Sequence, residues 1–248
     1  MSLLHLDGVG RSVHLPDGSV LPILTGVDLE VAEGEHVAVV GRSGSGKSTL
    51  LNILGLLDSP TSGTYRVDGA DAGSLSARRR GRMRGQAFGF VFQQFNLLPR
   101  RSATENVATP LLYAGGTAFW QRTRLARAAL ERVGLGDRAD ALPERLSGGE
   151  QQRVAIARSL VRSPRVLLAD EPTGSLDVDT GAAVMDLLEE VTTAAGSTLV
   201  TITHDLSVAA RAQRQYRLDH GRLTPLSVDD LAVVTAHRSA APPQGARA

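Results

Sequence analysis

The chain has no cysteine among its 248 residues. Disulfides and thiolate-held metals are therefore excluded, and the six scattered histidines suggest no zinc cluster in their place. No apolar run approaches the roughly 18 residues that a membrane-spanning helix needs, and Met1-Ser2-Leu3-Leu4-His5 lacks the basic and apolar regions of a secretory leader. The sequence thus predicts a soluble chain made in the cytosol. Net charge is scarce too, at +1, which argues against the basic footprint of a nucleic-acid binder. The run Arg78-Arg79-Arg80-Gly81-Arg82-Met83-Arg84 reads as a solvated segment rather than a binding patch. Lysine is the sharpest shortage: of 27 basic residues 26 are arginine, leaving Lys47 alone. A chain of this length can bury about 70–75% of its unfolded surface, enough for one large domain carrying an insertion.

That lysine stands in Gly41-Arg42-Ser43-Gly44-Ser45-Gly46-Lys47-Ser48-Thr49, between the strand-like run His36 to Val40 and the helix-like run Leu50 to Leu54. The glycines lack a Cβ, so the backbone can curl and aim successive N–H groups inward, while the new helix adds the positive end of its dipole. Lys47 can place a compact ammonium between the outer phosphates of a triphosphate, where a guanidinium fork is too bulky. The Ser48 hydroxyl is placed to ligate a bridging Mg²⁺. Glycine turns between strand and helix also occur without phosphate, but the full motif in this setting points to a nucleotide triphosphatase.

Upstream, Leu3 to Leu6, Val20 to Leu24 and Val27 to Val31 read as short strands of an antiparallel flap, with turns at Pro16-Asp17-Gly18 and Glu33-Gly34. Downstream, Thr64 to Val67 and Phe88 to Phe92 read as strands. The stretch from Ser102 to Arg162 reads as helical, with Thr104 as candidate N-cap of a helix to Tyr113 and one amphipathic helix from Trp120 to Val133. Val166 to Ala169 and Thr198 to Thr203 are runs of the kind that strands buried on both faces show, with a helix from Gly181 to Thr193 between them. Such alternation implies a mainly parallel sheet with ligand at the strands' carboxyl ends. Beyond Leu223 the pattern fades, and 224–248 is expected to be a disordered tail.

Asp170 and Glu171 end the Val166 to Ala169 strand, and alternation along a strand predicts that the two carboxylates point differently. Asp170 suits the Mg²⁺ shell, and Glu171 suits a general base for the water attacking a γ-phosphate. Leu146-Ser147-Gly148-Gly149-Glu150 offers a second anion site at a helix start, through a hydroxyl and two glycine N–H groups. One phosphate needs one cradle, so two copies meeting head to tail best explain the second.

In combination these motifs resemble the nucleotide-binding subunits of ATP-binding-cassette (ABC) transporters, over residues from about Leu3 to Leu223. Walker A matches Gly41 to Thr49, the signature Leu146 to Glu150, and Walker B Val166 to Asp170 with Glu171 following. Ser175-Leu176-Asp177 resembles the D-loop, Gln93 the Q-loop glutamine and His204 the H-loop switch. The resemblance implies an α/β P-loop NTPase fold with a mainly parallel core sheet, an N-terminal antiparallel β flap and an all-helical subdomain inserted at about 94–162. It implies ATP and Mg²⁺ as ligands, with Gln93 joining Ser48 and Asp170 at the metal. Glu171, His204, Lys47 and Gln93 would serve hydrolysis, and Ser147, Gly148, Gly149 and Asp177 would reach nucleotide across a dimer. Family members commonly stack adenine on an aromatic residue in the early turn; here Val13 and His14 stand nearest, and His14 is the candidate.

Gly89-Phe90-Val91-Phe92-Gln93-Gln94-Phe95-Asn96-Leu97-Leu98-Pro99, Glu105-Asn106-Val107 and Leu168-Ala169-Asp170-Glu171-Pro172-Thr173-Gly174-Ser175-Leu176-Asp177 resemble the lipoprotein-release and macrolide-export group. The implied partners are a second copy of the chain and transmembrane permease subunits, with no nucleic acid, at the cytoplasmic face of the cell membrane. Phe95, Leu97, Leu98 and Leu111 are candidates for an apolar groove that takes a partner's helix. Export or extrusion is implied; regulation of cell-envelope enzymes through membrane partners is an alternative, and DNA repair or translation a more distant one.

Overall fold

The computed structural model describes residues 2–226. Three strands lead off, β1 (Ser2–His14), β2 (Val20–Ala32) and β3 (His36–Val40), followed by helix α1 (Lys47–Leu54). Strands β4 (Ser62–Val67) and β5 (Ala70–Asp71), helix α2 (Ala77–Ala87) and strand β6 (Phe88–Phe92) come next. Helices α3 (Ala103–Ala108), α4 (Gly116–Trp120), α5 (Arg122–Arg132) and α6 (Gly148–Leu160) then intervene before β7 (Val166–Asp170). Helix α7 (Val178–Ala194), β8 (Thr198–Thr203), the single turn α8 (Leu206–Ala209), β9 (Arg214–Asp219) and β10 (Arg222–Pro225) complete the order.

The strands form two sheets. One is antiparallel, in the order β2-β1-β4-β5; the other runs β10-β9-β3-β8-β7-β6 and is parallel except at the β9–β10 hairpin. The four-residue run of β7 is apolar because both its faces are covered. Val166 and Leu168 pack into a core shared with α1 and the antiparallel sheet, while Leu167 and Ala169 pack into one shared with α6 and α7. At about 1.5–3 kcal/mol for each large aliphatic side chain taken from water, this two-sided burial fixes the strand that ends in the carboxylates. The second core continues into the inserted helices through Ala126, Leu130 and Val107, so the insertion and the sheet share packing.

Several local features depart from the sequence expectations. The flap strands merge into two of 13 residues each, because bulges carry the pairing across Gly8 and Gly26, both at φ 58°. The helix expected to start at Thr104 is capped by Ser102, whose hydroxyl accepts from the Glu105 amide while Glu105 accepts from the Ser102 amide. Thr104 is buried instead and donates to Ala139 O at 2.8 Å. The expected Trp120 to Val133 helix breaks at Gln121. The arginine-rich segment is helix α2, with no buried residue; Arg84 ties it to Leu56 O at 2.8 Å. Strand β10 extends past the expected boundary at Leu223, with Thr224 and Pro225 paired to Arg217 and Tyr216. The remainder of the expected tail lies outside the described residues.

Candidate nucleotide site

Strand β3 delivers the chain to the glycine loop, and α1 leaves it. Gly44 and Gly46 take φ of 79° and 103°, backbone that other residues rarely adopt. Gly41 is needed for closeness: a Cβ there would lie 2.5 Å from Leu218 O and 2.6 Å from Ser45 Oγ. The Lys47 ammonium curls back over the loop and donates to Gly41 O at 2.7 Å and Arg42 O at 3.0 Å. Ser45 Oγ is buried and has no partner among the described residues.

A cleft of about 530 Å³ opens over this loop. Ser43, Gly44 and Gly46 line it from the loop, and Lys47, Ser48 and Thr49 from the first turn of α1. Asp170, Glu171, Gln93 and His204 line it from the ends of β7, β6 and β8. The sheet order explains the meeting: β8 lies between β3 and β7, and parallel strands present all their carboxyl ends on one edge. Ile23 of β2 also lines the cleft, a residue that the sequence did not single out; β1 pairs Arg11 with Leu24 and Ser12 with Pro22, which leaves Ile23 at a bulge.

The two carboxylates do not part ways as strand alternation predicts. Glu171 follows the last strand residue with φ 48°, a left-handed conformation uncommon outside glycine, and this re-aims it so that both residues line the one cleft. Their surroundings differ all the same. Asp170 is half-buried, which raises its carboxyl above the usual range; the nearby Glu171 charge raises it further and Lys47 opposes. Glu171 accepts at Oε2 from Thr203 Oγ1 at 3.1 Å and from the His204 amide at 3.2 Å, and His204 Nδ1 lies 2.9 Å from the same oxygen.

Other candidates lie elsewhere. Gly41 and Ser45 line a neighbouring cavity of about 670 Å³, and Ser43, Gly44 and His204 border both. His14 is exposed at the end of β1, paired with Val20, and does not line the cleft. Ser147 caps α6 through a reciprocal pair with Glu150, and Gly148 and Gly149 form that helix's first turn, all outside the cleft. Gly149 sits where α6 meets α7: a Cβ would come 2.6 Å from Thr180 Cγ2. Asp177 caps α7 by accepting from the Thr180 amide at 3.0 Å. Of the proposed apolar groove, Leu111 is buried while Leu98 is exposed.

The residues fit a magnesium nucleotide. A loop with two left-handed glycines, one ammonium and a buried unpaired hydroxyl is chemistry for phosphate oxygens. Among the described residues no three carboxylates and histidines gather as an all-protein cage. Mg²⁺ needs none, since it binds through one or two protein groups with waters and phosphates, and here Ser48 and Asp170 would serve.

What such a cleft holds is polyphosphate with a water to attack it, and the parallel sheet presenting it is that of the P-loop nucleoside triphosphatases. The family model described as "ABC transporter" matches residues 24–174. The chain belongs to that family, and it is an ATP-binding, ATP-hydrolysing cassette. It is 51% identical over 221 residues to the macrolide export ATP-binding/permease protein MacB 1/2 of Paracoccus denitrificans, covering 89% of this chain and 33% of that one. It is 47% identical over 240 residues to the pyoverdine export ATP-binding/permease protein PvdT of Pseudomonas savastanoi pv. phaseolicola, covering 97% of this chain and 36% of that one. The chain thus spans about a third of the length of these curated relatives. Among solved structures, the post-hydrolysis dimer of the ATP-binding cassette MJ0796, bound to ADP and Pi, matches with a TM-score of 0.80 at 40% identity, covering 90% of this chain and 99% of that one. Among the described residues no helix is long and apolar enough to cross a membrane.

Proposed function

We propose that the chain powers export as one half of a head-to-tail homodimer that closes on two ATP and drives permease partners at the cytoplasmic face of the membrane. One observation carries this reading: the capped, glycine-led start of α6 lies outside the cleft of its own chain, so it serves a γ-phosphate only in a second copy. The export relatives and the dimeric cassette support it. Lys47 neutralises the outer phosphates, Ser48 and Asp170 hold Mg²⁺ with Gln93 beside them, and Glu171 accepts the proton of the attacking water while His204 reaches the γ-phosphate. Asp177 lies at the crossing between subunits. His14 is the proposed base contact.

The test uses Glu171→Gln, which keeps the side chain's size but removes the base. ATP, and not ADP, should convert this variant to dimers in size-exclusion chromatography with light scattering. Adding Ser147→Arg should leave ATP bound and abolish the dimer. Because Ser147 is also a cap, whose loss costs about 1 kcal/mol, melting curves accompany the measurement. A Glu171→Gln protein that stays monomeric at saturating ATP, or a folded double variant that still dimerises, overturns the sandwich.

A further inference from the structure

We propose that Thr203 is a positioning residue for hydrolysis: its buried hydroxyl fixes Glu171 so that one carboxylate oxygen is committed and the other is left for water. This rests on the reading of Glu171 as the general base. Both hydrogen bonds to the Glu171 carboxylate, and the close approach of His204 Nδ1, converge on Oε2, and Oε1 receives no hydrogen bond among the described residues. A hydroxyl has one hydrogen to give. Thr203 Oγ1 already accepts from the Asp205 amide at 3.0 Å, so its hydrogen is directed at Glu171 Oε2, 3.1 Å away.

The anchor behind that hydroxyl is rigid. Thr203 is 1% exposed, β-branched and the last residue of β8, where it pairs with Val40 just before the glycine loop. On its other side, the Asp205 carboxylate accepts from the Ser207 amide at 2.7 Å and opens α8. The His204 side chain, by contrast, is 67% exposed. When the imidazole turns toward a γ-phosphate, Thr203 and the His204 amide remain as the contacts that hold Glu171. Glu171 needs such holding, because it has left the strand in a left-handed conformation and the strand no longer sets its direction.

Buried threonines are common in β8, since Thr198 and Thr201 are also buried, so the test must separate positioning from packing. Thr203→Val keeps the shape and removes the hydroxyl; Thr203→Ser keeps the hydroxyl. The valine variant should lose roughly tenfold in kcat, the scale of one hydrogen bond to a charged group, with KM for ATP within about twofold. The serine variant should recover to within about threefold of wild type. In a Glu171→Gln background, adding Thr203→Val should leave the residual rate unchanged, whereas a packing defect would slow both backgrounds. If Thr203→Val does not fold, Thr203→Ala against Thr203→Ser gives the same comparison. Wild-type kcat for the valine variant, equal losses for valine and serine, or a further loss in the Glu171→Gln background overturns the proposal. A Glu171→Gln enzyme that turns over normally would instead remove the base assignment, and this inference with it.

Discussion

Tyrosine 65 gives the clearest stability test, because one atom can be removed from a fully buried place. Its ring lies on β4, 1% exposed, and its hydroxyl donates to Leu54 O at 2.6 Å. Leu54 ends α1, the helix that begins at Lys47, and helix ends leave carbonyls without partners. The following amides do not reach it: those of Leu57 and Asp58 go to Asn52 O, and that of Leu56 to Ile53 O. Tyr65→Phe should therefore strand a buried carbonyl at about 1–3 kcal/mol, with almost no change in volume. For a chain of this size each kcal/mol moves the melting temperature by about 2–4 °C, so a fall of roughly 2–12 °C is expected at neutral pH. Alkali adds a second signature. Burial raises the Tyr65 hydroxyl well above its ordinary value, so as pH passes about 10 tyrosine ionises first in the unfolded chain. The unfolded state then holds fewer protons, and the stability that Tyr65 gives below pH 10 is lost as pH rises. Phenylalanine has no such loss, and the gap between the two proteins should narrow in alkali. Thermal melts followed by circular dichroism at pH 8 and above pH 10 suffice. A variant melting within 1 °C of wild type at pH 8, or a gap that widens in alkali, would refute the role given to this hydrogen bond.

Two further outcomes are expected. Lys47→Ala should cut ATP hydrolysis by about 10²–10³-fold, as losing a preorganised donor to the transition state does, and a steady-state assay within threefold of wild type would remove Lys47 from that role. Gly149→Ala should cost about 1–3 kcal/mol by forcing a methyl into Thr180 Cγ2, and Thr180→Ser in the same chain should restore most of the melting temperature.

What could be read in advance was what is local. Glycine loop, strand and helix are contiguous, so the phosphate cradle was legible from spacing alone, and the two-sided burial of β7 was written in its unbroken apolar run. The capping box at Ser102 is equally local, with Glu105 three residues on, but Thr104 is also a cap residue type and stands two residues further along the chain. Other features depend on departures from regular backbone. Alternation sends Asp170 and Glu171 apart, and only the left-handed turn at Glu171 returns them to one cleft. A bulge in β2, invisible as composition, brings Ile23 to the cleft edge. The grip of Thr203 on Glu171 joins residues 32 positions apart and has no spacing to betray it.

The solitary ammonium over the loop carries a practical consequence for chemical labelling. An acylating or biotinylating reagent meets one lysine side chain in this sequence, and its Nζ is already engaged by Gly41 O and Arg42 O at the mouth of the cleft. Coupling the protein to a support through lysine would block the very loop under study, so attachment chemistry is better aimed at a cysteine introduced elsewhere. Read the other way, protection of that one lysine side chain becomes an occupancy gauge, and a lysine-specific protease cuts the chain after one residue only, yielding two fragments whose appearance reports the opening of the loop.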